Sequence, residues 1–296
     1  MKKTIKCLSL VLAIIMCAAI FAGCNSSSGG SSPTPAPTPA PTPAPSEPSE
    51  PTEPSETPVE PPARTTFILG FDPTFVPYGY TDDSGNYVGF DLDLAAEVCA
   101  RNGWELILQP IDWDAKFLEV DSGNIDCVWN GFTITASRLL EYTWTVPYVD
   151  NSQVFVVAAD SGITVHADLA GKIVVVQTDS SAEEALLGED NEELTASFAS
   201  LDRVADYNTA FMTLVAGGAD AVAMDIGVAN YQVAQREGFV ILEEQLATEQ
   251  YGVGFKLGNT ELRDIVQGTL LEMAADGTVD EIAEKWGLTE FVILGK

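Results

Sequence analysis

Residues 172–187 read KIVVVQTDSSAEEALL, and this stretch decides the class of fold. Residues 172–177 form a continuous apolar run with three consecutive valines, which is typical of a parallel strand buried on both faces. Residues 180–187 follow after a short loop and are expected to form a helix. A buried strand that passes quickly into a helix predicts an α/β fold.

The same alternation of strand and helix extends outward from this stretch in both directions. We predict further strands at 66–71, 106–109, 125–129, 153–158, 221–224, 240–242 and 252–256. We predict further helices at 90–102, 113–122, 206–216, 228–236, 261–275 and 279–286. Residues 65–296 are numerous enough for two lobes, so we expect an α/β fold with mostly parallel sheets.

The beginning of the chain has the character of a secretion signal. Three lysines precede an apolar run at 8–22, and Phe21-Ala22-Gly23-Cys24 resembles the lipobox of bacterial lipoproteins, with Phe21 where leucine is usual. The resemblance implies a signal peptide at 1–23 and a lipid on Cys24, which would anchor the protein on the extracytoplasmic face of the cell membrane. An uncleaved membrane anchor is the alternative, but about 15 apolar residues are fewer than the roughly 20 that a spanning helix needs.

Composition limits the possible partners and cofactors. Residues 24–64 hold most of the 17 prolines, among Ser, Thr and Glu, so we expect an extended, disordered linker. The net charge of −30 repels nucleic acid and anionic lipid, which leaves the lipid anchor as the expected membrane contact. Cys99 and Cys127 are expected to be buried thiols, since no CxxC motif or Cys/His cluster is present. We therefore predict no metal site and no cofactor, and P-loop, GxSxG and HExxH motifs do not occur.

A series of short motifs follows a fixed order along residues 65–290. They are Gly89-Phe-Asp-Leu-Asp-Leu94, Gly123-Asn-Ile-Asp126, Gly131-Phe-Thr-Ile-Thr135 with Arg138, Pro147-Tyr148, Gln177 with Ser180-Ser181, Gly218-Ala-Asp-Ala-Val222 with Asp225, Tyr251-Gly-Val-Gly254, and Glu261-Leu-Arg263. Together they resemble the family 3 extracellular solute-binding proteins, the amino-acid receptors of ABC importers. The resemblance implies a periplasmic-binding-protein-like fold, with two α/β lobes, a hinge and a ligand cleft between the lobes.

The resemblance also implies how the chain is divided and what it does. We expect lobe 1 at 65–152 and 249–296 and lobe 2 at 153–248, with crossings near 151–155 and 245–250. Motifs that would line the cleft occur on both sides of the first crossing, and the last two helices follow a strand that suits lobe 1. The expected function is that of a monomeric receptor, which binds a polar amino acid, basic or glutamine-like, and delivers it to the permease subunits of an ABC importer.

An amino acid buried between two lobes needs a cation for its carboxylate, because an unpaired buried charge costs several kcal/mol. Arg138 can offer a bidentate fork, and the resemblance assigns it this role, although a surface arginine paired with Glu141 would look the same in the sequence. The resemblance implies further hydroxyl and amide donors at Thr133, Ser180 and Ser181. Many members of the family have glycine where this chain has Asp179, whose carboxylate would repel the ligand unless it points away.

Asp225 follows an apolar strand, and carboxylates at the carboxyl ends of strands in open α/β sheets commonly face a ligand crevice. The resemblance implies that it pairs with the ligand's ammonium group, and a helix N-cap is the alternative.

The implied side-chain pocket consists of Asp72, Phe75, Trp113, Asn130 and Gly131. The two rings would enclose the ligand's aliphatic stem, and Asp72 would receive its polar tip. Alternatively, the two rings belong to the core, and Asp72 is a turn residue before Pro73. Gly131 would contribute its backbone N–H.

Two other functions remain open at this stage. The same fold resembles secreted dehydratases of cyclic carboxylic acids, but such an enzyme needs a placed general acid or base, and the single histidine, His166, has no partner cluster. The chain could also be the ligand-sensing partner of a membrane kinase that another protein supplies. We expect a receptor rather than an enzyme.

Overall fold

A computed structural model describes residues 64–296 of the chain. The predicted signal peptide, the lipidation site Cys24 and the linker up to residue 63 lie outside the described residues. The strands are β1 (Thr66–Phe71), β2 (Thr74–Phe75), β3 (Gly79–Thr81), β4 (Tyr87–Val88), β5 (Glu105–Pro110), β6 (Cys127–Val128), β7 (Tyr142–Trp144), β8 (Val149–Ala158), β9 (Ile173–Gln177), β10 (Ser200–Val204), β11 (Ala221–Asp225), β12 (Phe239–Tyr251) and β13 (Gly254–Lys256). The α-helices are α1 (Phe90–Asn102), α2 (Lys116–Ser122), α3 (Ser181–Leu187), α4 (Glu192–Ser197), α5 (Tyr207–Val215), α6 (Ile226–Gln235), α7 (Thr260–Asp276) and α8 (Thr278–Trp286).

Two five-stranded sheets form the centre of the described residues. The first has the strand order β5-β1-β6-β13-β7, and the second has the order β10-β9-β11-β8-β12. Helices α1, α7 and α8 pack together beside the first sheet, and α5 and α6 pack on the second. Each sheet with its helices is one α/β lobe, which we call lobe 1 and lobe 2.

Strands pair in both directions within each sheet. β1 is parallel to β5 and β6, and β9 is parallel to β10 and β11. β13 is antiparallel to β6 and β7, and β8 is antiparallel to β11 and β12. The expectation of mostly parallel sheets is therefore wrong. Parallel neighbours need a long crossover, usually a helix, whereas β8 and β13 each follow a strand of the other sheet without one.

The chain passes between the lobes twice, from β7 to β8 and from β12 to β13. β8 and β12 form a long antiparallel pair, in which Asn151 lies opposite Glu249 and Val149 lies opposite Tyr251. The segments predicted as crossings, 151–155 and 245–250, thus lie within these strands, although the register of β12 shifts between Ile241 and Ala247. The lobe boundaries given above remain a proposal, which the place of β13 in the sheet of β1 supports.

Local structure follows the sequence pattern closely in the regular elements. Helix α1 spans the predicted residues and ends at Gly103, whose φ of 69° is the left-handed cap that glycine adopts without strain. The predicted helix at 113–122 instead begins as a 3₁₀ turn, Trp113–Ala115. The short strand predicted at 240–242 is one end of β12. Cys99 and Cys127 are buried free thiols, as expected.

Within residues 64–296, the helices are all too short or too polar to cross a lipid bilayer.

Candidate functional site

A small cavity lies where the carboxyl ends of β9 and β11 approach the loops after β1 and β6. Its lining residues are Phe75, Trp113, Gly131, Thr133, Arg138, Gln177, Ser180, Ser181, Tyr207 and Asp225. Eight of the ten predicted site residues are among them, and the structure places Asp72 and Asn130 behind the wall. The cavity volume is about 10 Å³, which is room for about one water molecule.

Arg138 supplies positive charge at one end of the cavity. It is only 5% exposed, and its guanidinium donates to the carbonyl oxygens of Thr133 at 3.2 Å and Asp179 at 2.9 Å. Its other face packs on the ring of Phe132, 4.9 Å from the centroid. Within residues 64–296 Arg138 has no ion pair, so the alternative partner Glu141 does not compensate it. A buried guanidinium held only by carbonyls is ready for an anionic ligand.

Lys116 is a second buried cation beside Arg138, and it is not among the residues predicted from the sequence. Its Nζ donates to the carbonyl oxygens of Trp113 at 3.1 Å and Asp179 at 3.0 Å, and it forms an ion pair with the carboxylate of Asp179. Burial, reinforced by the charge of Arg138, lowers the pKa of Lys116 to about 8. No motif marks Lys116 in the sequence, because a lysine in an amphipathic helix usually faces solvent.

Asp179, the residue that departs from the family pattern, points away from the cavity. Its side chain is 58% exposed and contacts Lys116. Its φ of 57° lies in the left-handed region, where glycine is favoured and aspartate is tolerated. The Asp179 carboxylate therefore does not repel a ligand in the cavity. Its backbone carbonyl faces Lys116 and Arg138, and its carboxylate pairs with Lys116 outside the cavity.

The three predicted hydroxyl groups have different surroundings. Ser180 is the N-cap of α3, since its Oγ accepts from the N–H of Glu183 at 3.1 Å and donates to the carbonyl of Gln177 at 2.8 Å. The hydroxyl oxygens of Ser181 and Thr133 lie 3.1 Å apart. Ser181 and Thr133 thus join lobe 2 to lobe 1, whereas the Ser180 hydroxyl bonds to the end of β9 and the start of α3 within lobe 2.

Asp225 supplies negative charge at the other end of the cavity. It ends β11 and is 3% exposed, and its Oδ1 accepts from Asn151 Nδ2 at 2.7 Å, Gln153 Nε2 at 2.8 Å and the Tyr251 hydroxyl at 2.6 Å. Burial, reinforced by the charge of Glu249, raises the pKa of Asp225 to about 7. Asp225 also occupies the N-cap position of α6, but its side chain makes no capping hydrogen bond there.

Glu249 lies beside Asp225, and the sequence analysis did not assign it to the site. Its Oε1 accepts from Asn151 Nδ2 at 2.6 Å, Gln153 Nε2 at 2.7 Å and Thr133 Oγ1 at 2.8 Å. In the sequence, the only sign that Glu249 belongs to the site is its place two residues before the Tyr-Gly-Val-Gly motif. The register of β8 and β12, which brings Glu249 opposite Asn151, could not be derived from that signal.

Asp72 and Asn130 form the layer behind the wall. Asn130 Oδ1 accepts from the backbone N–H of Asp72 at 3.0 Å. The Asp72 carboxylate accepts from Thr74 N and Oγ1 and, across the cavity wall, from Gln177 Nε2 at 2.8 Å. Burial raises the pKa of Asp72. Asp72 borders a neighbouring cleft of about 380 Å³, whereas its hydrogen-bond donor Gln177 lines the small cavity.

The aromatic walls and Gly131 shape the remaining side. The rings of Phe75 and Trp113 are parallel within 4°, with centroids 6.4 Å apart. A Cβ on Gly131 would lie 2.4 Å from Phe75 Cε1, so glycine is needed for space. The Gly131 N–H, which we expected to face the ligand, donates instead to Asp91 Oδ2 at 2.6 Å. That expectation is wrong for this arrangement, because the buried Asp91 takes the donor.

Comparison with known proteins shows a family match over most of the described residues. The sequence profile of the bacterial extracellular solute-binding proteins, family 3, matches residues 67–289. The L-cystine-binding protein TcyJ of Escherichia coli (strain K12) is 28% identical over 226 residues, which are 75% of this chain and 83% of TcyJ. Both findings cover the region that contains the two lobes.

Solved structures show the same architecture. An ABC uptake transporter substrate-binding protein from Streptococcus pneumoniae, with bound histidine, superposes with a TM-score of 0.72 and 33% identity, over 75% of this chain and 92% of that one. An ancestral arginine-binding protein, solved with arginine and with glutamine, gives a TM-score of 0.70 and 35% identity, over 76% of this chain and 99% of that one.

Proposed function

We propose that this chain, which belongs to the bacterial extracellular solute-binding proteins of family 3, is a receptor for a polar amino acid with a basic or glutamine-like side chain. The amino acid would be held between the two lobes, with its carboxylate at Arg138 and its ammonium group at Asp225. Its side chain would extend between Phe75 and Trp113 towards Asp72.

The observation that carries the proposal is the separation of opposite charges in one cavity. Arg138 is a buried cation without a carboxylate, and Asp225 is a buried carboxylate without a cation, among residues 64–296. In the described part of the chain, each accepts or donates hydrogen bonds only with neutral groups. A zwitterionic ligand would pair with both charges at once. Its carboxylate and its ammonium group would offset the free-energy cost of burying Arg138 and Asp225 without ionic partners.

The side-chain specificity follows from the second layer. Non-bonded carbon atoms touch at about 3.5–4.0 Å, so a methylene group between two ring faces needs a separation of about 7–8 Å. The 6.4 Å between Phe75 and Trp113 would therefore widen slightly when a ligand stem enters. The ligand's tip would then replace Gln177 as the donor to Asp72, which favours a cationic or amide tip.

Entry of the ligand requires the lobes to separate. The cavity volume of about 10 Å³ is far smaller than an amino acid. The paired strands β8 and β12, which carry the chain between the lobes, are the natural place for the hinge. We propose closure around the ligand by rotation about this pair.

Delivery and anchoring belong to the same proposal. The closed receptor would present its amino acid to the permease subunits of an ABC importer, while a lipid on Cys24 holds it at the membrane. Relatives that are ABC transporter binding proteins support the delivery, and the lipobox-like sequence before Cys24 supports the anchor. The linker at 24–64 would give the receptor its reach.

A dehydratase-like enzyme is the second candidate, and one observation favours it. The pKa of Asp225, raised to about 7, suits a general acid or base. We favour the receptor because three side chains of the protein hold the Asp225 carboxylate in one orientation, as a binding site requires. Turnover of a cyclic carboxylic acid by the purified protein would reverse this choice.

A thermal-shift screen of the twenty amino acids on the purified protein tests the proposed function. A ligand at 100 times its dissociation constant adds about 2.7 kcal/mol to the stability of the folded state. We expect shifts for basic or amide side chains and none for aspartate or glutamate. An unchanged melting temperature with every amino acid would contradict the receptor function.

A further inference from the structure

We propose that Glu249 is the second negative charge of the ammonium end, and that it makes the site select ligands that carry a cationic nitrogen there. Glu249 is a positioning residue in this proposal, because it acts through its charge and through the amides that it shares with Asp225. The inference rests on the proposed function, since it assumes that an amino acid enters with its ammonium group at Asp225.

The first step is the sharing of donors. Asn151 Nδ2 lies 2.7 Å from Asp225 Oδ1 and 2.6 Å from Glu249 Oε1, and Gln153 Nε2 lies 2.8 Å and 2.7 Å from the same two oxygens. The two carboxylates therefore sit on either side of one pair of amide nitrogens. The charge of Glu249 this close makes ionisation of Asp225 less favourable.

The second step is that this cluster of carboxylates has no positive charge beside it among the described residues. Within residues 64–296, neither Asp225 nor Glu249 forms an ion pair with a lysine, an arginine or the histidine. The amide oxygens of Asn151 and Gln153 are buried and have no hydrogen-bond partner in the described part of the chain. The cluster thus has an excess of acceptors and negative charge, and an ammonium group supplies both donors and the opposite charge.

The third step places the cluster at the cavity rather than elsewhere in the hinge. Glu249 Oε1 accepts from Thr133 Oγ1 at 2.8 Å and from Ser181 Oγ at 3.2 Å, and both of these residues line the cavity. Glu249 therefore contacts lobe 1, lobe 2 and the hinge strand β8 through one oxygen. A cation bound at Asp225 is attracted by Glu249 at short range.

Titration of the cluster gives the proposal a second signature. The titratable groups that face Asp225 are Glu249 and three tyrosines, Tyr78, Tyr207 and Tyr251. The pKa of each tyrosine is raised well above 10, so Glu249 is the anion that acts on Asp225 near neutral pH. Below pH 7 a proton on Asp225 competes with the ammonium group, and binding weakens by at most about tenfold per pH unit.

The test uses Glu249→Gln, which keeps the size and the acceptor oxygen and removes the charge. Calorimetry compares L-arginine, L-histidine and L-glutamine with their 2-hydroxy acids, in which a neutral hydroxyl replaces the ammonium group. We expect the variant to lose at least about tenfold in affinity for each amino acid that the wild type binds, with little change for its hydroxy acid. The preference for ammonium over hydroxyl therefore falls at least about tenfold. The pH below which binding weakens should also move downward.

Glu243→Gln is the matched control, because Glu243 is an exposed residue of the same strand, β12. It should leave both the preference and the pH profile unchanged. Equal losses for amino acids and hydroxy acids in Glu249→Gln would give Glu249 a purely structural role and overturn the proposal, as would unchanged binding. If the wild type binds none of the three amino acids, the proposed function itself is wrong, and the inference is overturned with it.

Discussion

Gln177 Nε2 donates a hydrogen bond to Asp72 Oδ2 at 2.8 Å, and the two residues are 105 positions apart in the sequence. Gln177 ends β9 in lobe 2, and Asp72 follows β1 in lobe 1. The bond therefore joins the lobes and closes the cavity on the side of the predicted specificity pocket. Burial raises the pKa of Asp72, so this carboxylate gains from every donor that it receives.

Asp72→Ala should change which amino acid binds best. Without the carboxylate, a basic or amide tip loses its acceptor, while the carboxylate and ammonium contacts of the ligand remain. We expect the thermal-shift ranking of the amino acids to move from basic towards apolar side chains. Asp83→Ala, at an exposed position, is the control. Equal losses for all amino acids would place Asp72 among the structural residues.

Arg138→Ala should nearly abolish binding of every amino acid. The ligand's carboxylate would be buried without its cation, and truncating one partner of such a pair costs about 2–5 kcal/mol. Calorimetry measures the loss, with the exposed Arg236→Ala as a matched control. Near-normal affinity in Arg138→Ala would mean that the carboxylate lies elsewhere.

Asp179→Gly should weaken the closed arrangement of the lobes. Glycine accepts the left-handed φ of 57°, so the main change is loss of the ion pair between Asp179 in lobe 2 and Lys116 in lobe 1. Because Asp179 is 58% exposed, the pair contributes no more than about 1 kcal/mol, and the dissociation constant should rise by up to about fivefold. Small-angle scattering of the free variant should show a larger radius of gyration. An unchanged radius and affinity would exclude a role for the pair in closure.

Asp91→Asn should flatten the pH dependence of stability. Burial raises the pKa of Asp91 to about 7, so its favourable contribution is fully present below pH 3.8 and is lost as the pH rises towards 7. The asparagine does not titrate, but it leaves either the Gly131 N–H or the Tyr148 hydroxyl without an acceptor, at a cost of about 1–3 kcal/mol. Urea unfolding at pH 4, 5.5 and 7 measures both effects. A variant with the wild-type pH slope would show that Asp91 is not the titrating group.

Cys24→Ser should release the protein from the membrane or leave an unprocessed precursor, because the lipid on Cys24 is the proposed anchor. Fractionation of cells into membrane and medium, followed by immunoblotting, measures this. Cys7→Ser, within the predicted signal peptide, should behave as the wild type. A Cys24→Ser protein that is processed normally and stays on the membrane would refute the lipoprotein interpretation.

Local sequence patterns were enough to predict most of the regular helices and strands. The valine run at 172–177 became β9, and the helix predicted at 90–102 is α1 to the residue, because periodicity and end signals lie within the segment itself. The strands β2, β3 and β4 are two or three residues long and show no period that could reveal them. The antiparallel strands β8 and β12 extend through segments predicted as crossings, since the backbones of the two strands pair with each other there.

The sequence by itself determined the family-like motifs, the alternation of strands and helices, and the ionisable residues Arg138 and Asp225, because these depend on residue type and local spacing. Only the tertiary structure decided that Lys116 is buried beside Arg138, that Gln177 stands in front of Asp72, and that Glu249 shares donors with Asp225. These contacts join the two lobes or the two hinge strands across 63 to 105 positions of sequence. Strand register and lobe closure set them, and neither is encoded in a local pattern.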